Sequence, residues 1–299
     1  MLKFSIRLSY FLILLGFSFV SVACQNKPKA SSSHVKEEVV GNHQNIKKVK
    51  NIFYNVPSPV EVTNIIQKMN LPYHPDLLNP SSNSENYLTQ ADKALNMGVY
   101  GADLSYIRIY EQYQDAANFL VVVKKFTREL GIPEEGERVI AKRLEKNLQN
   151  QDSLLRIITE TFTDSDSYLK ENQRGSTAAL IIFGGWIETL YLATNILDTD
   201  TPQDDMVKLI VEQRYSVNNL LGLMEQFSDE KRVQDFLPDL RELNEKFKSI
   251  GREKSGKSKL ISKNGKAVIG NKVKLNVPPN ILKDVKAIND RIRTRITEM

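Results

Sequence analysis

From residue 59 to residue 250 the apolar positions recur at steps of three and four, the period of helices that each bury one face. Ser58-Pro59-Val60-Glu61 combines a cap, a proline at the first helical position and an acid at the third, and predicts a short helix to about Asn70. Leu71 to Pro80 holds three prolines and reads as a stiff loop. Asn83 or Ser84 then caps a helix ending near Gly98. A stripe of Ala102, Tyr106, Ile109, Tyr113, Ala116, Leu120 and Val123 predicts one long helix, closed by Gly131-Ile132-Pro133. Helices follow from Glu134 to Leu148, and from about Asp152 with Leu155, Ile158, Phe162, Ser165 and Leu169 on one face. Thr201-Pro202-Gln203-Asp204 repeats the capping signature before a helix with Ile210, Val217, Leu221 and Met224 inward. The body ends with Leu240, Leu243, Phe247 and Ile250 in register.

The centre of the pattern is Gly175 to Leu197, which holds a single charge, Glu188. Its length admits a transmembrane span. A carboxylate at mid-span would be costly in lipid, and Thr177, Thr189, Thr194 and Asn195 dilute the run, so a core helix is the expectation. Gly184 and Gly185 each cost about 1 kcal/mol against Ala in an exposed helix. They are therefore expected to admit another helix at close range, with Trp186, the only Trp, filling space beside the contact.

After residue 250 the period shortens. Lys259 to Ser262, the Asn264-Gly265 pair and Lys266 to Ile269 read as a hairpin, followed by alternation at Val273, Leu275 and Val277. Pro278-Pro279 opens a final helix striped by Ile281, Val285, Ile288, Ile292 and Ile296. No fixed-period repeat aligns residue by residue. The expected fold is all-α: an irregular bundle or short α-α array of about eight helices, with a small C-terminal β-hairpin and terminal helix.

The N-terminus adds an address. Lys3 and Arg7 precede an apolar stretch from Tyr10 to Val20, so residues 1–23 read as a signal peptide. Ser21-Val22-Ala23-Cys24 resembles the lipobox of bacterial lipoproteins, with Ser21 where Leu is usual. That resemblance implies lipidation of Cys24, the only cysteine, and so a membrane anchor. Gln25 is not the Asp that retains such proteins in the inner membrane, and no acidic run follows the Cys. The implied place is the periplasmic face of the outer membrane. Residues 24–50 then read as a polar tether, 51–250 as the helical domain and 251–299 as a basic hairpin and terminal helix.

Charge is divided along the chain. Residues 51–247 hold 19 basic and 30 acidic residues, while residues 248–299 hold 14 basic and 4 acidic. The pI of about 9.0 therefore describes an acidic body with a basic tail rather than a nucleic-acid binder. Either the tail folds back and neutralises the body, or it meets anionic lipid or a partner.

Catalytic motifs are missing from the sequence. His34, His43 and His74 lie in the tether or the proline loop, away from helical spacing to carboxylates, so no metal or cofactor is expected. One cluster stands out: Asp103, Tyr106 and Tyr110 share a helix face, and with Tyr100, Trp186, Glu188 and Tyr191 they would line a polar-aromatic pocket if two helices meet. The plainer account is tight packing around Gly98 and Gly101, Gly98 ending a helix. Asp164, Asp166, Asp204 and Asp205 do not match a calcium loop and read as caps and solvated faces.

LPYHPDLLNP (Leu71 to Pro80), ALNMGVYGADLSY (Ala94 to Tyr106), EKNLQNQDSLLRII (Glu145 to Ile158) and GGWIETLY (Gly184 to Tyr191), with Pro57 to Glu61, resemble an all-helical lipoprotein family of Bacteroidota with no assigned activity. The likeness implies compartment and fold, and carries over no functional residue. The sequence thus predicts a non-enzymatic envelope protein that binds another protein, or else a small-molecule-binding or sensory helical module built on the pocket.

Overall fold

A computed structural model of the chain describes residues 59–133, 150–197, 204–263, 266–278 and 280–298. The signal peptide, Cys24, the tether, the cap at Ser58, the helix expected over 134–148, the Thr201-Pro202 cap and the Asn264-Gly265 turn lie outside them. The described chain is mostly helical. Its helices are α1 (Pro59–Lys68), α2 (Gln90–Ile109), α3 (Tyr113–Glu129), α4 (Gln151–Glu171), α5 (Gly175–Ile196), α6 (Asp204–Glu212), α7 (Arg214–Glu225), α8 (Lys231–Lys248) and α9 (Ile281–Thr297).

Helix α5 is the hub, as its composition predicts. It packs most extensively on α2 and also meets α1, α4, α6, α7 and α9. By length and composition it is able to cross a membrane, but 83% of its most apolar window is buried by the protein itself. The α2–α5 crossing is a backbone-to-backbone contact. A Cβ on Gly98 would fall under 3.0 Å from the Ile181 carbonyl oxygen, and one on Gly184 equally close to that of Leu95. Gly185 faces the Gly98 carbonyl, and Trp186, 3% exposed, lies beside the contact.

Three helix boundaries differ from expectation. Gly98 does not stop a helix. It lies inside α2, which begins at Thr89, whose Oγ1 accepts from the Asp92 amide at 3.1 Å. The long helix expected from Ala102 instead breaks at Glu111, which takes φ +58° as the Tyr110 and Glu111 amides turn back to Ile107 and Arg108. The apolar stripe continues across the break because α3 packs back on α2. Likewise, the helix read through Ile210 and Val217 is divided at Gln213 into α6 and α7.

The boundary expected at residue 250 does not set the last helix apart. Ile281, Val285, Ile288, Ile292 and Ile296 are all buried, and α9 packs on α5, α8 and α2. Its charges fold back too: Arg291 bonds Asp239 at 2.9 Å and Glu242 at 2.5 Å, Arg295 pairs with Asp239, and Asp284 with Lys246 at 2.8 Å. The expected small β-hairpin is not supported as a folded element. The backbone of Gly251–Lys263 runs antiparallel to Lys266–Asn276, and a lone two-stranded ribbon is marginal in water.

Candidate functional site

The loop of prolines and α2, α5 and α9 converge on a buried ionic cluster. Asp103 and Glu188 are each 0% exposed and face each other across the α2–α5 crossing. Their approach follows from the glycine contact, since Gly98 and Gly184–Gly185 bring the two helices together within two turns of both carboxyls. Arg293 enters from α9. Its Nε donates to Glu188 Oε2 at 3.1 Å, one Nη2 bond runs to Oε1 at 3.3 Å and another to the Leu77 carbonyl at 3.2 Å. The guanidinium lies over the Tyr191 ring, 4.3 Å from its centroid.

Two carboxyls share one cation, and burial decides their protonation. Asp103 is pushed well above the ordinary aspartate range, first by burial and then by the Glu188 charge, against the Arg293 charge and the Asn79 amide. That amide donates to Asp103 Oδ2 at 3.1 Å, while Oδ1 accepts from no donor. Glu188 is raised by burial too, opposed by Arg293 and by a hydrogen bond to Asp103. For Arg293 burial works toward release of the proton, but Glu188 outweighs it and the guanidinium stays charged. Burial thus pushes both carboxyls toward the neutral form, Asp103 the more strongly, while Arg293 favours the charged form of Glu188.

A second network closes the cluster. Asn79 Nδ2 donates to the Tyr87 hydroxyl at 2.9 Å, and that hydroxyl donates to the Thr297 carbonyl at 3.1 Å. Asn96 Nδ2 reaches the Ile296 carbonyl at 2.9 Å. Carbonyls at the C-terminal end of a helix lack intrahelical partners, so these side chains satisfy the end of α9 inside the protein.

The seven residues expected to form a pocket are thus divided. Asp103 and Glu188 meet, and Tyr191 joins them through Arg293. Tyr106 and Tyr110 turn to Tyr73, with ring centroids 5.7 and 5.2 Å away, and the Tyr106 hydroxyl accepts from the His74 amide at 3.1 Å. Tyr100 packs edge-on to Phe119 at 5.6 Å and donates to the Pro80 carbonyl at 2.8 Å. Burial raises the hydroxyl pKa of all four of these tyrosines. Trp186 is interior, its Nε1 without an acceptor. Tyr100, Asp103, Tyr106 and Glu188 are all 0% exposed, so solvent does not reach these four side chains. Sequence reasoning missed Arg293 and Asn79, which complete the cluster.

Among the described residues no three of His, Cys, Asp and Glu gather as metal ligands would. No protein-family model, curated protein or solved structure matches the chain.

Proposed function

We propose that this chain is a lipid-anchored envelope protein, held at the periplasmic face of the outer membrane through Cys24, whose helical body binds another protein and performs no catalysis. The observation that carries the non-catalytic part is the closure of the ionic cluster. Asp103, Glu188 and Arg293 neutralise one another at the junction of three helices, where they hold the body together. Acid–base work on a substrate needs groups within reach of it, and these are sealed from solvent. The lipobox-like Ser21 to Cys24 supports the anchor, and the resemblance to a Bacteroidota lipoprotein family supports the compartment. The rival reading, a small-molecule or sensory module using the Asp103–Glu188 site, has less support because side chains already fill that site.

In this proposal residues 251–276, with eight basic residues and one acidic, form a basic hairpin that adds to the contact surface. Gly251 pairs with Asn276, so a short loop can replace the intervening residues without stretching the body. The test is crosslinking of the full-length protein in its native membranes followed by mass spectrometry, with Cys24→Ala and the loop replacement in parallel. A reproducible protein partner lost with Cys24→Ala supports the reading. Recovery of the protein alone in every membrane preparation overturns it.

A further inference from the structure

Away from the ionic cluster, a groove of about 370 Å³ lies between α7 and α8, within the usual size range of small-ligand sites. From α7 it is lined by Arg214, Tyr215, Asn218 and Asn219, and from α8 by Asn244 and Phe247. Tyr215, Asn218 and Asn219 stand at positions i, i+3 and i+4, one face of a helix; Asn244 and Phe247 are likewise three apart.

The residue types are poor choices for packing two helices. Asn is a weak helix former, and here two occupy consecutive interior positions of α7. Asn244 is 1% exposed, and its Oδ1 has no donor. A buried acceptor left unpaired is destabilising, so a ligand that supplies a donor would recover that loss. Tyr215 is 50% exposed beside the fully buried Phe247. Its ring is braced by Arg214, whose guanidinium lies 4.7 Å from the ring centroid and donates to the hydroxyl at 3.1 Å. An exposed aromatic ring held in place beside converging amides offers an apolar platform with hydrogen-bonding groups at its edge.

We propose that this groove binds a saccharide unit bearing an acetamido group. The ring C–H face of a pyranose suits the Tyr215 platform, its hydroxyls pair with the Asn218 amide, and the acetamido N–H supplies a donor of the kind Asn244 lacks. Lys248 is paired with Glu245 at 2.7 Å and Arg214 lies against the Tyr215 ring, which leaves the asparagine amides and the Tyr215 ring as the groups that suit a neutral sugar.

The experiment is calorimetric titration of the full-length protein in detergent with the β-1,4 trimer of N-acetylglucosamine, and with the glucose trimer of the same linkage. The variants are Tyr215→Ala and Asn218→Ala, both at exposed positions. Binding of the acetamido trimer, weakened about tenfold in either variant with an unchanged melting temperature, is the expected result. Absence of binding, binding that survives both substitutions, or equal affinity for the glucose trimer overturns the proposal. Because neither sugar involves Cys24 or a protein partner, the outcome is independent of the anchor and scaffold reading.

Discussion

Arg293 holds both carboxylate oxygens of Glu188, Nε to Oε2 at 3.1 Å and Nη2 to Oε1 at 3.3 Å, and so pins α9 against α5. Removing one partner of a buried pair leaves a charge without compensation and costs about 3–5 kcal/mol, whereas replacing both is often neutral. Arg293→Met is therefore expected to lower the urea midpoint strongly. Adding Glu188→Leu is expected to restore most of the loss. Additive losses, with the double variant losing as much as Arg293→Met and Glu188→Leu lose separately, would show that the pair carries no coupling.

The cluster also sets a pH dependence. Asp103 has its folded-state pKa raised above the unfolded value of 3.8, so the native state holds a proton that the unfolded chain releases. Its contribution to stability is complete below the unfolded value and is lost as pH rises through the folded one. Glu188 is raised in the same direction. Stability is expected to fall from mildly acidic pH toward alkaline pH, and Asp103→Asn, which cannot ionise, is expected to flatten that slope. Melting temperatures of both proteins between about pH 5 and pH 9, below the range where tyrosines titrate, test the sign.

Glycine substitutions at the α2–α5 crossing should separate by geometry. Ala favours a helix by about 1 kcal/mol over Gly, but at Gly98 and Gly184 the new methyl would meet backbone oxygens, which cannot swing aside. Both substitutions are expected to be severely destabilising, beyond the usual overpacking cost of about 1–3 kcal/mol. Gly185→Ala, with its nearest atom at 3.2 Å, is expected to be much milder. Gly101→Ala meets the Phe162 ring, a side chain able to move, and should fall between them. Chemical denaturation gives the order directly.

Tyr87→Phe removes the hydroxyl between Asn79 and the Thr297 carbonyl. Two buried polar groups then lose a partner, an expected cost of about 1–3 kcal/mol. Hydrogen exchange should show the last turn of α9 opening more readily in this variant, with α3 and α4 less affected.

Much of the helical plan was legible because burial imposes a period. The Gly175–Leu197 run, the glycine contact and the isoleucine stripe of α9 all follow from apolar spacing, and Glu188 stood out as the one charge in its helix. Arg293 did not. It lies between Arg291 and Arg295, chemically alike, and only the packing of α9 decides which of the three turns inward. Asn79 was hidden for a related reason, since it meets Asp103 through its backbone amide, which has no sequence signature. Gly98 gave an ambiguous signal because glycine serves both helix ends and close helix contacts. The break at Glu111 gave none, as Glu rarely marks a left-handed backbone.

The separation of Glu188 from Arg293 by 105 residues also imposes an order of events. Chains emerge from synthesis at about 5–20 residues per second, so the hub helix waits roughly 5–20 s for its counterion. During that interval α5 is an apolar segment with an unneutralised carboxyl and an uncovered face. The ionic cluster closes only when α9 arrives, so the nascent chain keeps this face of α5 open until then.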